Sequence, residues 1–220
     1  TPTKKTSKKT GLCSRQNTYV FSEKHVRLFW KTRTCFSKDF SYLCPMEKTK
    51  RYYEYGKFLQ ERFDHKVQKI SINAGFTCPN RDGAKGWGGC TYCNNQTFSP
   101  EYCHTEKSVT EQLEEGVRFF SRKYPDMRYL AYFQAYTNTY DRSDSLIRKY
   151  EEALAYPGVE GLIVGTRPDC MPEGLLDYFA ELSQRKFVMI EYGLESTLDK
   201  TLVRINRGHT HEESESAIRR

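Results

Sequence analysis

The chain has 220 residues, with 35 Lys and Arg against 28 Asp and Glu for a net charge of +7, and is 37% hydrophobic and 14% aromatic. That length holds one sizeable domain, or one domain and an appendage, and no run approaches the roughly 18 apolar residues a membrane helix needs. The charge is local: residues 1–45 carry +8 and the remaining 175 carry −1, so the basic balance says little about what the larger part binds.

Positions 1–45 mix basic, aromatic and hydroxyl residues without a clear period, and the first methionine is Met46, where the chain changes character to MEKTKRYYEYGKFLQERF. The segment is expected to be a disordered or non-native leader. A basic targeting or RNA-binding arm is the alternative, although Glu23, Asp39 and three cysteines make it a poor transit peptide. Residues 46–220 are expected to form the domain. Tyr52, Tyr55, Phe58, Leu59 and Phe63 recur at helical spacing and predict a short amphipathic helix. Positions 69–76 alternate as a first strand. Ser108, with Glu111 three residues on, is a capping box that starts a helix running to about Lys123, and Pro125 ends it. The aromatic run RYLAYFQAYTNTY predicts a second strand, and positions 143–155 a helix. GLIVGTRPD, PEGLLDYFAELSQ and KFVMIEYGLES then predict a strand, a helix and a fourth strand. Strand and helix alternating with short loops argue for parallel strands and an α/β fold. The last segment, LDKTLVRINRGHTHEESESAIRR, reads as a fourth helical region.

The first strand runs into FTCPNRDGAKGWGGCTYCNNQTF, where Cys78, Cys90 and Cys93 stand at C-x11-C-x2-C among Gly83, Gly86, Gly88 and Gly89. The short arm lets two thiolates face one metal centre, and the glycines let the backbone fold the third onto it. Three ligands suit a 4Fe-4S cube with one open iron, whereas structural zinc closes with four. Zinc is the rival reading, because Cys103 and His104 follow closely enough to complete such a set. The eight cysteines are scattered, and a C-x2-C in a glycine loop favours a metal and a reducing compartment, with the cytoplasm the expected location.

The loop, together with the words AGFTCPNRDG, GGCTYC, YLAYFQAYTNTY, VGTRPDC and RINRGH, resembles radical S-adenosylmethionine (SAM) enzymes, in particular a bacterial subfamily related to the Elongator catalytic subunit. The resemblance runs from about Lys48 to the C-terminus, and the long first cysteine spacing matches that subfamily. It implies a partial (β/α)6 barrel, here ending after about four strand-helix units. A barrel left open there would expose the apolar edge of the fourth strand, so the chain on its own is expected to aggregate or fold poorly. It also implies a 4Fe-4S cluster on Cys78, Cys90 and Cys93, and SAM chelated to the open iron.

Tyr92 holds the position that in the family packs near the adenine of SAM, with loop packing as the alternative. Gln134, Ala135 and Tyr136 stand where the family's Gly-Gly-Glu edge meets the methionine amino group; this chain departs from that pattern, so only backbone carbonyls could make the contact. Pro168 holds the residue before it extended, so the Arg167 guanidinium is expected to be fixed, either for a carboxylate or phosphate or in a salt bridge with Asp169 or Glu195. Glu191 and Glu195, four apart, are expected on one face of the fourth strand, with Glu195 meeting the SAM ribose. Arg204, Asn206 and Arg207 are expected to cap the nearby helical region or touch SAM, and His209 and His211 to be polar surface. The resemblance implies reductive cleavage of SAM to a 5'-deoxyadenosyl radical, with reduced flavodoxin or ferredoxin as electron donor. Modification of the tRNA wobble uridine is the expected use. A small-metabolite or protein substrate is one alternative, and a zinc-stabilised RNA-binding or scaffold protein another.

Overall fold

A computed structural model describes Tyr19–Ser22, His25–Leu28 and residues 52–220 except Lys123 and Pro125. Of the expected leader, only two short strands fall among the described residues, β1 (Tyr19–Ser22) and β2 (His25–Leu28), paired antiparallel. The rest of the leader lies outside them, as does Pro125, the expected helix stop.

Four strands, β3 (Val67–Ile72), β4 (Arg128–Phe133), β5 (Val159–Thr166) and β6 (Phe187–Tyr192), form one parallel sheet in the order β3-β4-β5-β6. Between them run α2 (Val109–Ser121), α3 (Ser143–Ala155) and α4 (Glu173–Leu182), the crossovers that parallel neighbours require. This is the α/β architecture of a partial barrel. Both faces of the sheet are covered, which is why β4 and β5 read as near-continuous buried runs rather than alternating ones.

Side-chain alternation sorts the strands into two faces. Ile70 and Ile72, Ala131 and Phe133, and Leu162 and Val164 pack outward with Leu113, Leu146, Tyr150, Leu175 and Phe179 from the helices. Leu130, Tyr132 and Ile163 face inward, where Leu59, Phe63, Val67, Phe187 and Met189 close the lower end. Helix α2 sits close on β3 because position 116 is glycine: a Cβ there would lie 2.5 Å from Ile70 Cγ2. The expected capping box is present, with Glu111 N donating to Ser108 Oγ at 3.1 Å and Ser108 N donating to Glu111 Oε2 at 2.7 Å.

Registers align Ile72, Phe133, Val164 and Ile190 in one row, where β3 and β4 end and past which β5 and β6 run two residues further, so the loops after them share one rim. The expected strands overran that rim. Strand β3 stops at Ile72 because Asn73 N donates to the Gln112 side chain at 2.8 Å instead of to a neighbouring strand. Strand β4 stops at Phe133, and Tyr136 takes φ 60° as the chain turns across the rim. The helix expected over 52–63 is only α1 (Tyr55–Gln60). The last helical region is two helices, α5 (Asp199–Arg204) and α6 (His211–Arg219), separated by the turn that carries RINRGH.

Candidate functional site

The rim loops enclose a cleft of about 550 Å3, solvent-open part included, lined by Cys78, Cys90 and Cys93 together with Tyr92, Gln134, Tyr136, Arg167 and Glu195. Ala135 is buried beside them and does not line it. The cleft also takes in residues that the motif words contain but that carried no signal of their own, chief among them Arg81, Asn95 and Thr137.

The eleven residues between Cys78 and Cys90 fold back on themselves as a small hairpin. Asp82 bridges to Trp87, Gly83 N donates to Gly86 O at 3.1 Å, and Gly89 N donates to Asn80 O at 2.8 Å. The last of these bonds brings Cys90 back beside the Cys78 end of the loop, and Cys93 N closes a tight turn on Cys90 O at 3.0 Å. The long spacing therefore costs the cysteines nothing in proximity.

The turn between α5 and α6 clasps this loop. Thr91 N donates to Ile205 O at 3.0 Å, Asn206 Nδ2 donates to Gly89 O at 2.8 Å, and Asn80 Nδ2 donates to Asn206 O. Arg207 lines the cleft; Arg204, by contrast, is exposed at the end of α5. His209 departs from the expected polar surface: it is 6% exposed, its Nε2 accepts from Arg207 Nε at 2.9 Å, and burial lowers its pKa. His211 is half-buried at the start of α6.

Glu191 and Glu195 both reach the cleft, but not by sharing a strand face. Strand β6 ends at Tyr192, and Glu195 lies beyond it with φ 64°. Glu191 points inward below, where its carboxylate accepts from Tyr132 Oη at 2.9 Å and pairs with Lys69 Nζ at 3.1 Å. Glu195 is 4.0 Å from Arg207 Nη2. Between the two glutamates, Gly193 is a cradle: a Cβ there would stand 2.8 Å from Arg207 Nη2 and 3.0 Å from Glu195 Oε1. Among the described residues the three non-glycine positions with positive φ are Tyr136, Glu195 and Asn206. Two line the cleft and the third clasps its loop, a clustering of backbone strain typical of functional sites.

Arg167 is 2% exposed and held as expected. Its Nε and Nη2 donate to Asp169 at 2.9 and 2.8 Å, and Nη1 donates to Arg207 O at 2.7 Å. Burial alone would raise the Asp169 pKa, but Arg167 and Lys85 outweigh it and hold the carboxyl down to about 2. Burial leads the shift of Tyr92, whose phenol is pushed above its ordinary value although its ring is 39% exposed; Glu195 and Cys90 push the same way against Arg207.

The Radical SAM superfamily model matches residues 73–220, which include every residue of the cleft. The chain belongs to this superfamily. It is 44% identical over 156 residues to Protein YhcC of Escherichia coli K12, covering 70% of this chain and 49% of that protein. It is 39% identical over 160 residues to the uncharacterized protein YtqA of Bacillus subtilis 168, covering 73% and 50%. To the uncharacterized protein MJ0486 of Methanocaldococcus jannaschii it is 32% identical over 159 residues, covering 71% and 48%. The chain thus spans about half the length of the curated relatives it matches, and no solved structure matches it.

Membership of the radical SAM superfamily implies a 4Fe-4S cluster and SAM, and the donor set fits both. A cube presents a different iron to each thiolate, so its ligands stand around a cleft, whereas mononuclear zinc needs four donors at roughly 2.0–2.3 Å from one point. Among the described residues no group of three or more His, Cys, Asp or Glu side chains stands converged to hold a metal ion; what the three cysteines share is one cleft. Cys103, the sulfur offered to zinc, donates instead to Ser71 O at 2.9 Å, and burial pushes its thiol up to about 12. Amide N–H groups face the other sulfurs: Asn80 Nδ2 is 3.7 Å from Cys90 Sγ and Asn95 Nδ2 is 3.6 Å from Cys93 Sγ. Toward the organic cofactor, Arg81 lines the cleft with its guanidinium 5.5 Å from the centre of the Tyr136 ring and its Nε buried without a hydrogen-bond partner among the described residues, so that nitrogen is open to an anion.

Proposed function

We propose that the chain is the cluster- and SAM-binding part of a radical SAM enzyme that modifies the wobble uridine of tRNA. The observation that carries the radical SAM half is one cleft that takes all three cysteines and is walled by arginines and two glutamates. The chemistry a bound cluster would supply is one-electron reductive cleavage of SAM, with abstraction of a substrate hydrogen as its outcome. Cys78, Cys90 and Cys93 are the residues that would hold the cluster, leaving SAM a place on it. Arg81 would face the SAM carboxylate and Glu195 the ribose hydroxyls; Tyr92 would pack against the adenine, and the backbone of residues 134–136 would meet the amino group. Arg167, its donors taken by Asp169 and the Arg207 carbonyl, keeps the rim rigid beside them. The rim loops exclude water and fix geometry while the cofactor carries the hard chemistry. Reduced flavodoxin or ferredoxin is the electron source, and the cytoplasm the setting.

The tRNA half rests on the motif words shared with relatives of the Elongator catalytic subunit. The near-neutral charge of residues 46–220 provides little of the phosphate attraction that RNA binding uses, so the basic residues of 1–45 or a further part of a longer protein would supply it. Anaerobic reconstitution, iron and sulfide analysis, and detection of 5'-deoxyadenosine after dithionite reduction test the first half; a zinc-loaded, colourless protein that leaves SAM intact would sink it. Nucleoside analysis of tRNA from a strain lacking the full-length gene tests the second. An unchanged wobble uridine would send the search to small metabolites and proteins.

A further inference from the structure

Every nitrogen of the Arg207 guanidinium is engaged. The residue is 8% exposed, with Nη2 donating to Gly193 O at 2.5 Å, Nε to His209 Nε2 at 2.9 Å and Nη1 to Cys90 Sγ at 3.5 Å. A guanidinium has no lone pair to offer, so His209 Nε2 is the acceptor, and the imidazole proton sits on Nδ1, 3.1 Å from Thr210 O. Ser214 Oγ, 3.4 Å from that nitrogen, packs on its far side. Two of the three nitrogens are thus fastened to protein, and the third is aimed at a cysteine sulfur.

We infer that Arg207 is a positioning residue that sets the reduction potential of the cluster through a cationic N–H···S bond to Cys90, held on target by His209 and the Gly193 carbonyl. The inference rests on the cluster assignment proposed above. The potential of an iron-sulfur cluster follows its net charge and the hydrogen bonds to its sulfurs. A donor that draws electron density from a ligand sulfur favours the reduced form and raises the potential. Asn80 and Asn95 also face the cysteine sulfurs, but they are neutral, and a charge-assisted bond is roughly twice as strong. A freely rotating arginine would average its effect away, whereas one gripped at Nε and Nη2 keeps Nη1 pointed at the sulfur.

The test compares Arg207→Gln and Arg207→Lys with the parent chain after anaerobic reconstitution, reading iron and sulfide content and the midpoint potential by dye titration followed by electron paramagnetic resonance. The expected result is full cluster content in both variants with potentials more negative than the parent's. Gln should shift further than Lys, which keeps the charge but loses the fork. Parent-like potentials in loaded variants would overturn the inference. So would failure of both variants to take up iron, because Arg207 would then be needed to assemble the site rather than to tune it. If Gln alone fails to load, Lys decides: an unshifted potential overturns the inference and a negative shift supports it. A parent chain that itself takes up no cluster points instead to failure of the proposed function.

Discussion

Lys85 Nζ lies 2.6 Å from Asp169 Oδ2, binding the hairpin between the first two cysteines to the turn that follows β5. Asp169 also accepts from Nε and Nη2 of Arg167, and Lys85 reaches Glu213 on α6 at 3.2 Å. With both side chains of the Arg167–Asp169 pair at 2% exposure, this is a buried ion pair carried out to the more exposed Lys85 and Glu213. Removing one partner leaves the others uncompensated. Asp169→Asn is expected to destabilise the chain by about 3–5 kcal/mol, read as the shift in a urea unfolding midpoint.

The same carboxyl gives a pH dependence with a definite sign. Its pKa is about 2 in the folded chain against about 3.9 when unfolded, so it contributes about 2–3 kcal/mol of stability at neutral pH. That contribution is complete above pH ~4 and is lost as the pH falls toward 2. The stability gap between the parent and Asp169→Asn should therefore be constant from pH 7 to 5 and narrow below 4. A gap that widened on acidification would contradict the assignment.

Replacing Cys78, Cys90 or Cys93 singly by Ala is expected to remove most of the reconstituted iron. Cys103→Ala should leave it unchanged, because that thiol is buried against the Ser71 carbonyl and does not line the cleft of the other three. Iron analysis of the four variants side by side decides. Loss of metal in Cys103→Ala would restore the zinc reading.

Gly193→Ala places a methyl group 2.8 Å from Arg207 Nη2 and 3.0 Å from Glu195 Oε1. Relieving that contact costs about 1–3 kcal/mol and moves two side chains of the cleft at once. SAM cleavage should fall further than the melting temperature. Ser108→Ala is the matching control: it removes the α2 cap at about 1 kcal/mol, lowers Tm by about 2–4 °C for a chain of this size, and should leave iron content alone.

Much of this was legible in the sequence where a residue type has a single physical use. Ser108 with Glu111 announced a helix start, and α3 lies where its pattern placed it, at Ser143–Ala155. The three cysteines among glycines marked the rim. The strand ends were harder, because 73–76 and 134–140 keep an apolar alternation past the last sheet bond; only Gln112 capturing the Asn73 amide, and a left-handed Tyr136, show where the sheet stops. His209 was misjudged for a related reason. Its neighbours in sequence are polar, and its burial comes from Arg207 and Ser214, which converge on it only when the turn docks on the cysteine loop. Glu195 reached the expected cleft by a backbone twist that strand alternation does not encode.

The clasp on the cysteine loop also imposes an order of events in the cell. Asn206 follows its partner Gly89 by 117 residues, which at about 5–20 residues per second is a wait of roughly 6–23 seconds on the ribosome. During that interval the three thiols have been made but lack the frame that holds them. Iron offered then would meet a loose loop, so productive delivery belongs after the turn between α5 and α6 has been made, and a nascent chain stalled before Asn206 should carry no inorganic cargo.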